Sequence, residues 1–274
     1  MGTSPKSNED DTNSRVVPMA KIHSTAIIPA GAEIGRNVEI GPYTTLGENV
    51  TIGEDTVIGP HVVIKGKTVI GKNNEIFHGT SIGGGSEEDG EKKDIIIGDN
   101  NTIRENVTIH SGGGAGTSST TRVGDDNFIM AYCYIGSNSE VGSNIIITNA
   151  SHLASEVIVE DQAVIAGLTE IEAGVRIGKI AMIGAHSRVT KDVPPYIMAD
   201  GHPARVKNIN VIGLRRNGFK PSLRKEIKKM FKILYQSDLD LKSAAAKMER
   251  EIESCAEIDH FLKFIRSCKK GISR

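Results

Sequence analysis

The sequence predicts a mainly β chain: a parallel β-helix built from hexapeptide repeats, followed by a small C-terminal α-helical domain. Three observations predict it. An aliphatic residue stands at every sixth position from Ile22 to Ile82, and again from Ile97 to Val189 with one interruption. Such a period is the signature of a β-helix, in which each coil buries its face only by stacking on its neighbours. Aromatic residues make up only 4% and there is no Trp, so ladders of Ile and Val must supply the core. Beyond Pro221 the apolar spacing changes from six residues to a helical one.

Residues 1–18 are polar and rich in Pro, Ser and Asn, and are expected to be a disordered tail or a cloning remnant. The β-helix is expected over 19–200. Its first ladder is Ile22, Ile28, Ile34, Ile40, Leu46, Ile52, Ile58, Ile64, Ile70, Ile76 and Ile82. Strand residues alternate in and out, so each aliphatic anchor and the residue two before it face inward, while the residue between them faces out. The inward partners are small or compact, for example Asn101, Asn127, Cys133, Ser151, Ala163, Thr169, Ala181 and Ser187. Gly usually follows the anchor, where it is expected to permit a tight corner. Three sixes make one triangular coil, and coils stack roughly 4.8 Å apart.

Two polar stretches, 84–94 and 111–121, interrupt the ladder and are expected to project from corners as loops. After Val189 come Asp192, Val193, Pro194, Pro195 and Tyr196, and two prolines are expected to end the ladder. A linker is expected over 201–220 and a helical domain over 221–274. Its helices are placed at 222–236, with Ser222 as N-cap, at 239–254 and at 256–269. Residues 214–274 carry 16 Lys+Arg and 8 Asp+Glu, a net of +8, which leaves the rest of the chain near −9. That asymmetry points to an acidic partner for the helices.

Several function classes are set aside. No apolar run reaches the 18 residues of a membrane span. There is no Walker-type phosphate loop, and the Gly112-Gly113-Gly114 run does not lead into a helix. Cys133, Cys255 and Cys268 lack metal-site spacing and are expected to be small buried side chains. An odd, sparse cysteine set and the lack of an apolar signal core point to the cytoplasm.

The middle coils carry the chemistry. Arg104, His110, Met130, Thr148, Ala154, Glu160, Ala166 and Glu172 stand where Gly is expected, and so become candidates for function. Counting sixes places the anchors Ile109, Ile135, Leu153 and Ile171 on one face. Their outward neighbours are Thr108, Tyr134, His152 and Glu170. His152 is the candidate general base, with Glu170 expected to raise its pKa and fix its tautomer. His110 is the candidate substrate contact. His61, His78 and His186 are expected at surface corners.

The segments Arg104-Glu105-Asn106-Val107-Thr108-Ile109-His110, Asp192 to Tyr196, and Gly213-Leu214-Arg215-Arg216-Asn217-Gly218-Phe219 resemble those of a known family. It is the acyl-carrier-protein-dependent UDP-N-acetylglucosamine O-acyltransferases of lipid A biosynthesis, and the likeness covers residues 20–274. The resemblance implies a left-handed coil and a homotrimer with active sites between neighbouring coils. It implies no bound cofactor. The co-substrate would be an acyl thioester on an acidic carrier protein docked at the basic helical domain. A His would deprotonate the 3-hydroxyl of a UDP-sugar. Nucleic acid is not an expected partner. The resemblance places substrate contacts at His110, Asn210 and Arg216, with Ala185 gauging acyl-chain length.

The same resemblance exposes a departure. The family's general base falls on Ser137, its preceding His on Tyr134 and its neighbouring carboxylate on Asn138. Two further active-site His positions fall on Glu156 and Glu172, and a Gln on Ala173. The stretch 84–94 is shorter than its counterpart and lacks a Gln-Asp-x-x-Lys element. A serine has no basicity of its own near neutral pH. Three readings stay open. The first is an acyltransferase on a UDP-amino-sugar using His152 or Glu156 as base, with Tyr134 and Glu172 also touching substrate. The second is a non-catalytic paralogue binding a UDP-sugar, carrier protein or partner subunit. The third is a coenzyme-A-dependent sugar N-acetyltransferase using acetyl-CoA, for which Gly201-His202-Pro203-Ala204-Arg205 is the motif.

Overall fold

The computed structural model describes residues 20–84, 94–113 and 120–274. The tail 1–18 and most of the two polar stretches, 85–93 and 114–119, lie outside the described residues. Three sheets form the sides of the coil: sheet A of eleven strands, parallel except for its last, and sheets B and C of eight parallel strands each. Most strands are two residues long, the outward residue and its anchor, as in Glu39–Ile40, Tyr134–Ile135 and Arg176–Ile177. Partners lie one coil apart, as in Glu39 opposite Val57. The step lengthens where the polar stretches intervene, with Glu75 opposite Thr102 and Thr102 opposite Phe128.

The alternation of burial is the one the period demands. Ile103, Ile129, Ile147, Ile165 and Ile183 are buried in a single column, and the partners two before them fill the axis. Each fully buried Ile contributes roughly 1.5–3 kcal/mol. Polar partners inside are satisfied. Asn74 Oδ1 accepts the N–H of Asn101, and Asn101 Oδ1 accepts that of Asn127. Of the cysteines, Cys133 is buried as expected, whereas Cys255 and Cys268 are partly exposed.

The glycines after the anchors do a different job from the one expected. A Cβ on Gly35 would lie 2.8 Å from the backbone N of Glu54, and one on Gly136 would lie 2.6 Å from the carbonyl carbon of Ala154. They permit close stacking of one coil on the next, not a left-handed turn. The left-handed residue comes two positions later and is seldom glycine. One corner column uses Asn37, Asp55, Asn73, Asn100, Asp126 and Asn144, whose short polar side chains tolerate positive φ. Another uses Tyr43, His61, Tyr132, Ala150 and Leu168.

The end of the coil also differs from expectation. Pro194 and Pro195 occupy a corner, where no ladder hydrogen bond is needed, so they do not end the fold. Val193 still pairs with Ile177. The strand Ile197–Gly201 continues sheet A beside Met182–Ile183 and turns back into the antiparallel strand Ala204–Ile209. The expected linker is therefore a hairpin, followed by a short helix α1, Val211–Arg216. Three longer helices follow: α2 (Pro221–Tyr235), α3 (Leu241–Glu251) and α4 (Ala256–Arg266). The N-cap of α2 is Lys220, not Ser222, with Pro221 in the first helical position, which needs no N–H donor.

The helical domain is welded to the coil by a buried charge. Asp192, 1% exposed, receives Arg176 at 2.8 Å, and the Arg176 guanidinium lies 4.3 Å from the Phe264 ring centre. The tail returns to pair Ile272 with Asp192. Tyr196, fully buried, packs against Phe219 and Phe261.

Candidate active site

Sheet B stacks the residues singled out above. Thr108 lies opposite Tyr134, Tyr134 opposite His152, His152 opposite Glu170, and Glu170 opposite Arg188. The rings form a continuous column. Tyr134 stacks on His152 at 4.5 Å with planes 10° apart, and His110 tilts against the other side of Tyr134 at 5.0 Å. His110 and His152 thus share a face, with the Tyr134 ring between them. Burial alone lowers the His110 pKa below that of a free imidazole. His152 is exposed.

The expected partnership of His152 with Glu170 does not form. Glu170 turns to Arg188, 3.8 Å away, and Glu172 takes the same guanidinium at 2.9 Å. Opposite-charge attraction along the ladder outcompetes the imidazole for the carboxylate. Among the described residues, the His152 side chain makes no hydrogen bond.

The turn that follows Tyr134 holds Ser137, partly buried, and Asn138, in a left-handed conformation. The Asn138 amide pairs with the Gly113 peptide, donating to its carbonyl at 2.8 Å and accepting its N–H at 3.0 Å. Glu156 occupies the equivalent left-handed turn one coil on and is exposed. Of the other candidates, Asn210 is committed to structure. Its Oδ1 caps α1 at Gly213 N–H, 2.9 Å, and its Nδ2 donates to the Ile180 carbonyl at 2.8 Å. Arg216 is exposed in the last turn of α1, and Ala185 is exposed in the corner after Met182–Ile183.

Sequence reasoning missed a second column. On sheet A the outward residues Phe128, Ile146, Val164, Met182 and Met198 stand in register, coil upon coil. Ile146 is 40% exposed. The signal was present: the residue before the anchor, normally polar, is apolar at every third repeat here. The corner between this stripe and the histidine column carries Tyr132, Ala150 and Leu168. A shallow hollow of about 320 Å³ opens there, lined by Ala150, His152, Leu168, Thr169 and Glu170. An apolar stripe and a polar, imidazole-bearing ladder therefore meet along one edge.

A larger groove, about 800 Å³, lies elsewhere, between sheet C and α4. It carries Glu160, one of the non-glycine departures. The Glu160 carboxylate accepts the Lys179 N–H and meets His260 Nε2, both at 2.8 Å. This departure serves docking of the helical domain. Among the described residues, no group of His, Cys, Asp and Glu could hold a metal ion.

A coil of hexapeptide repeats followed by a small helical domain places the chain in a class, the hexapeptide-repeat transferases. Residues 31–66 match the family described as bacterial transferase hexapeptide (six repeats), and residues 192–273 match UDP-N-acetylglucosamine O-acyltransferase, domain 2. The acyl-carrier-protein–UDP-N-acetylglucosamine O-acyltransferase of Thermodesulfovibrio yellowstonii is 46% identical over 259 residues, covering 93% of this chain and all of that protein. Its counterpart in Paraburkholderia xenovorans is 42% identical with the same coverage. Among solved structures, the Francisella novicida UDP-N-acetylglucosamine acyltransferase superposes with a TM-score of 0.87 at 38% identity, over 92% of this chain and 94% of that one. The Campylobacter jejuni enzyme gives 0.87 at 35% identity, over 92% and 99%. The chain belongs to the UDP-N-acetylglucosamine O-acyltransferase family, and its coil is the left-handed β-helix of that family.

Proposed function

We propose that the chain is an acyl-carrier-protein-dependent acyltransferase acting on UDP-N-acetylglucosamine or a close UDP-amino-sugar. The observation that carries this reading is the edge where an apolar stripe adjoins an imidazole ladder. Five rungs from Phe128 to Met198 span roughly 19 Å at about 4.8 Å per coil, room for an extended acyl chain. Ala185 stands in the same coil as Met182 and limits how far that chain extends. End-to-end relatives with this activity support the reading.

In the proposed reaction His152, exposed and held in plane by Tyr134, accepts the proton of the acceptor hydroxyl. The oxygen attacks the thioester carbonyl, the C–S bond breaks, and the carrier thiolate leaves and takes up a proton. His110, Glu172 and Arg216 contact the nucleotide sugar, with Glu156 as the alternative base. Ser137, without a base of its own, takes no proton. Three copies assemble so that a neighbouring coil closes the edge, and the acidic carrier docks on Lys225, Lys228 and Lys232 of α2. No helix among the described residues is long and apolar enough to cross a membrane, and we place the protein in the cytoplasm.

One observation favours a second reading, binding without turnover: His152 lacks a carboxylate partner, because Glu170 is engaged by Arg188. The test is direct. The purified chain is offered UDP-N-acetylglucosamine or its 3-amino analogue with a panel of acyl-carrier thioesters. Acyl transfer that falls on the order of 10²-fold in His152→Ala supports the enzyme. Thermal stabilisation by the UDP-sugar with no transfer supports the binder. Consumption of acetyl-CoA instead would favour the N-acetyltransferase.

A further inference from the structure

The strand Thr108–His110 ends at His110, and a single residue of the next coil, Asn138, touches the chain at both Gly113 and Thr121. The Asn138 side-chain amide pairs at two atoms with the Gly113 peptide, at 2.8 and 3.0 Å. The Asn138 backbone N–H donates to Thr121 Oγ1 at 3.0 Å. Thr121 is buried, and so is Ser111, whose N–H reaches the Gly84 carbonyl at 3.3 Å. His110 lies opposite Gly84, with its ring against Tyr134.

Other turn asparagines in the same left-handed conformation do not do this. Asn37 reaches only the Asp55 side chain. Among the described residues, Asn138 is the turn asparagine whose amide grips another coil's backbone at two atoms. The grip resembles a ladder rung made by a side chain.

We propose that Asn138 is a positioning residue. By clamping Gly113 and Thr121 it fixes His110 and Ser111–Gly113 as one preorganised wall of the acceptor-sugar site. This rests on the reading that the face binds a UDP-sugar; the clamp itself does not. Fixing such a wall before binding removes an ordering cost from the affinity.

Asn138→Gly is the sharp test. It keeps a residue that tolerates φ 59° and keeps the N–H to Thr121, while removing the amide. Asn138→Asp keeps the acceptor for the Gly113 N–H and loses the donor. Three readouts are taken on the full chain: amide hydrogen exchange at Gly113, the Kd for UDP-N-acetylglucosamine by calorimetry, and, where transfer is measurable, KM against kcat. The expected result in Asn138→Gly is exchange faster by about tenfold and a Kd weakened roughly 5- to 10-fold, with KM rising more than kcat falls. Asn138→Asp should fall between it and wild type. Unchanged exchange overturns the clamp. Faster exchange with an unchanged Kd overturns the positioning role. A wild-type chain that binds no UDP-sugar overturns the reading of the site and the positioning role together, while the exchange rate at Gly113 still decides whether the clamp exists.

Discussion

Glu160 and Glu172 occupy the same place in the repeat, the corner after an anchor where glycine is usual, yet they sit in opposite circumstances. Glu160, on sheet C, is covered by α4 and satisfied by a backbone N–H and by His260. Glu172, on sheet B, meets the half-exposed Arg188, which it shares with Glu170, and neither carboxylate is bonded to a helix among the described residues. The same departure from glycine is thus a peg in one case and part of an open polar ladder in the other. What separates them is whether the chain supplies a cover. The edge between sheets A and B, where the histidine–tyrosine column adjoins the apolar stripe, is where the proposed ligand or a second copy would supply the cover.

The largest test of the covered side lies deeper than Glu160. Arg176→Ala would strand the Asp192 carboxylate, 1% exposed, without its guanidinium. Breaking such a buried pair costs about 3–5 kcal/mol, read as a shift in urea unfolding. Arg176→Lys should recover little. A lysine cannot match the fork that serves Asp192 Oδ2, Ser267 Oγ and the Phe264 carbonyl together. If Arg176→Ala unfolded like wild type, the helical domain would not depend on this latch and the contrast between faces would lose its physical basis.

The peg and the open carboxylate can be compared directly by restoring glycine at each. Glu160→Gly should cost about 1–3 kcal/mol, since it leaves the Lys179 N–H and His260 unpartnered beneath α4. Glu172→Gly removes one exposed ion pair and should change stability by about 1 kcal/mol or less. Its effect belongs in the sugar KM. Equal destabilisation by the two would show that the sheet B corner is as structural as that of sheet C.

This contrast marks where sequence reasoning ran well and where it could not. Period six specified the coil because every inward position is repeated and each repeat reports on its neighbours. It also placed Tyr134, His152 and Glu170 in one stack, since register follows from counting. It could not say which way the Glu170 carboxylate turns, because the competitor, Arg188, sits one coil further on. Asn138 looked like a lost carboxylate, and its grip on Gly113 spans 25 residues that no local pattern links. The sheet A stripe was legible at Phe128, Ile146, Val164 and Met182 once the outward position was read as closely as the inward one. Pro194 and Pro195 misled because the rule against prolines applies within strands, and these lie at a corner.

The smallest expected effect concerns His110, which the open face only partly shelters. Burial lowers its folded pKa below the ordinary 6.5. The folded chain therefore binds the proton less readily than the unfolded chain. Stability follows the excess of protons on the unfolded state, so it rises with pH across the interval between the two pKa values. The contribution is fully present above about 6.5 and declines as pH falls below that value, levelling once the folded imidazole is itself protonated. His110→Asn should flatten that part of the stability curve while leaving the rest of the acid limb in place. If His110→Asn left the curve unchanged, the His110 wall would be open to water, and the clamp on Ser111–Gly113 would not be sheltering it.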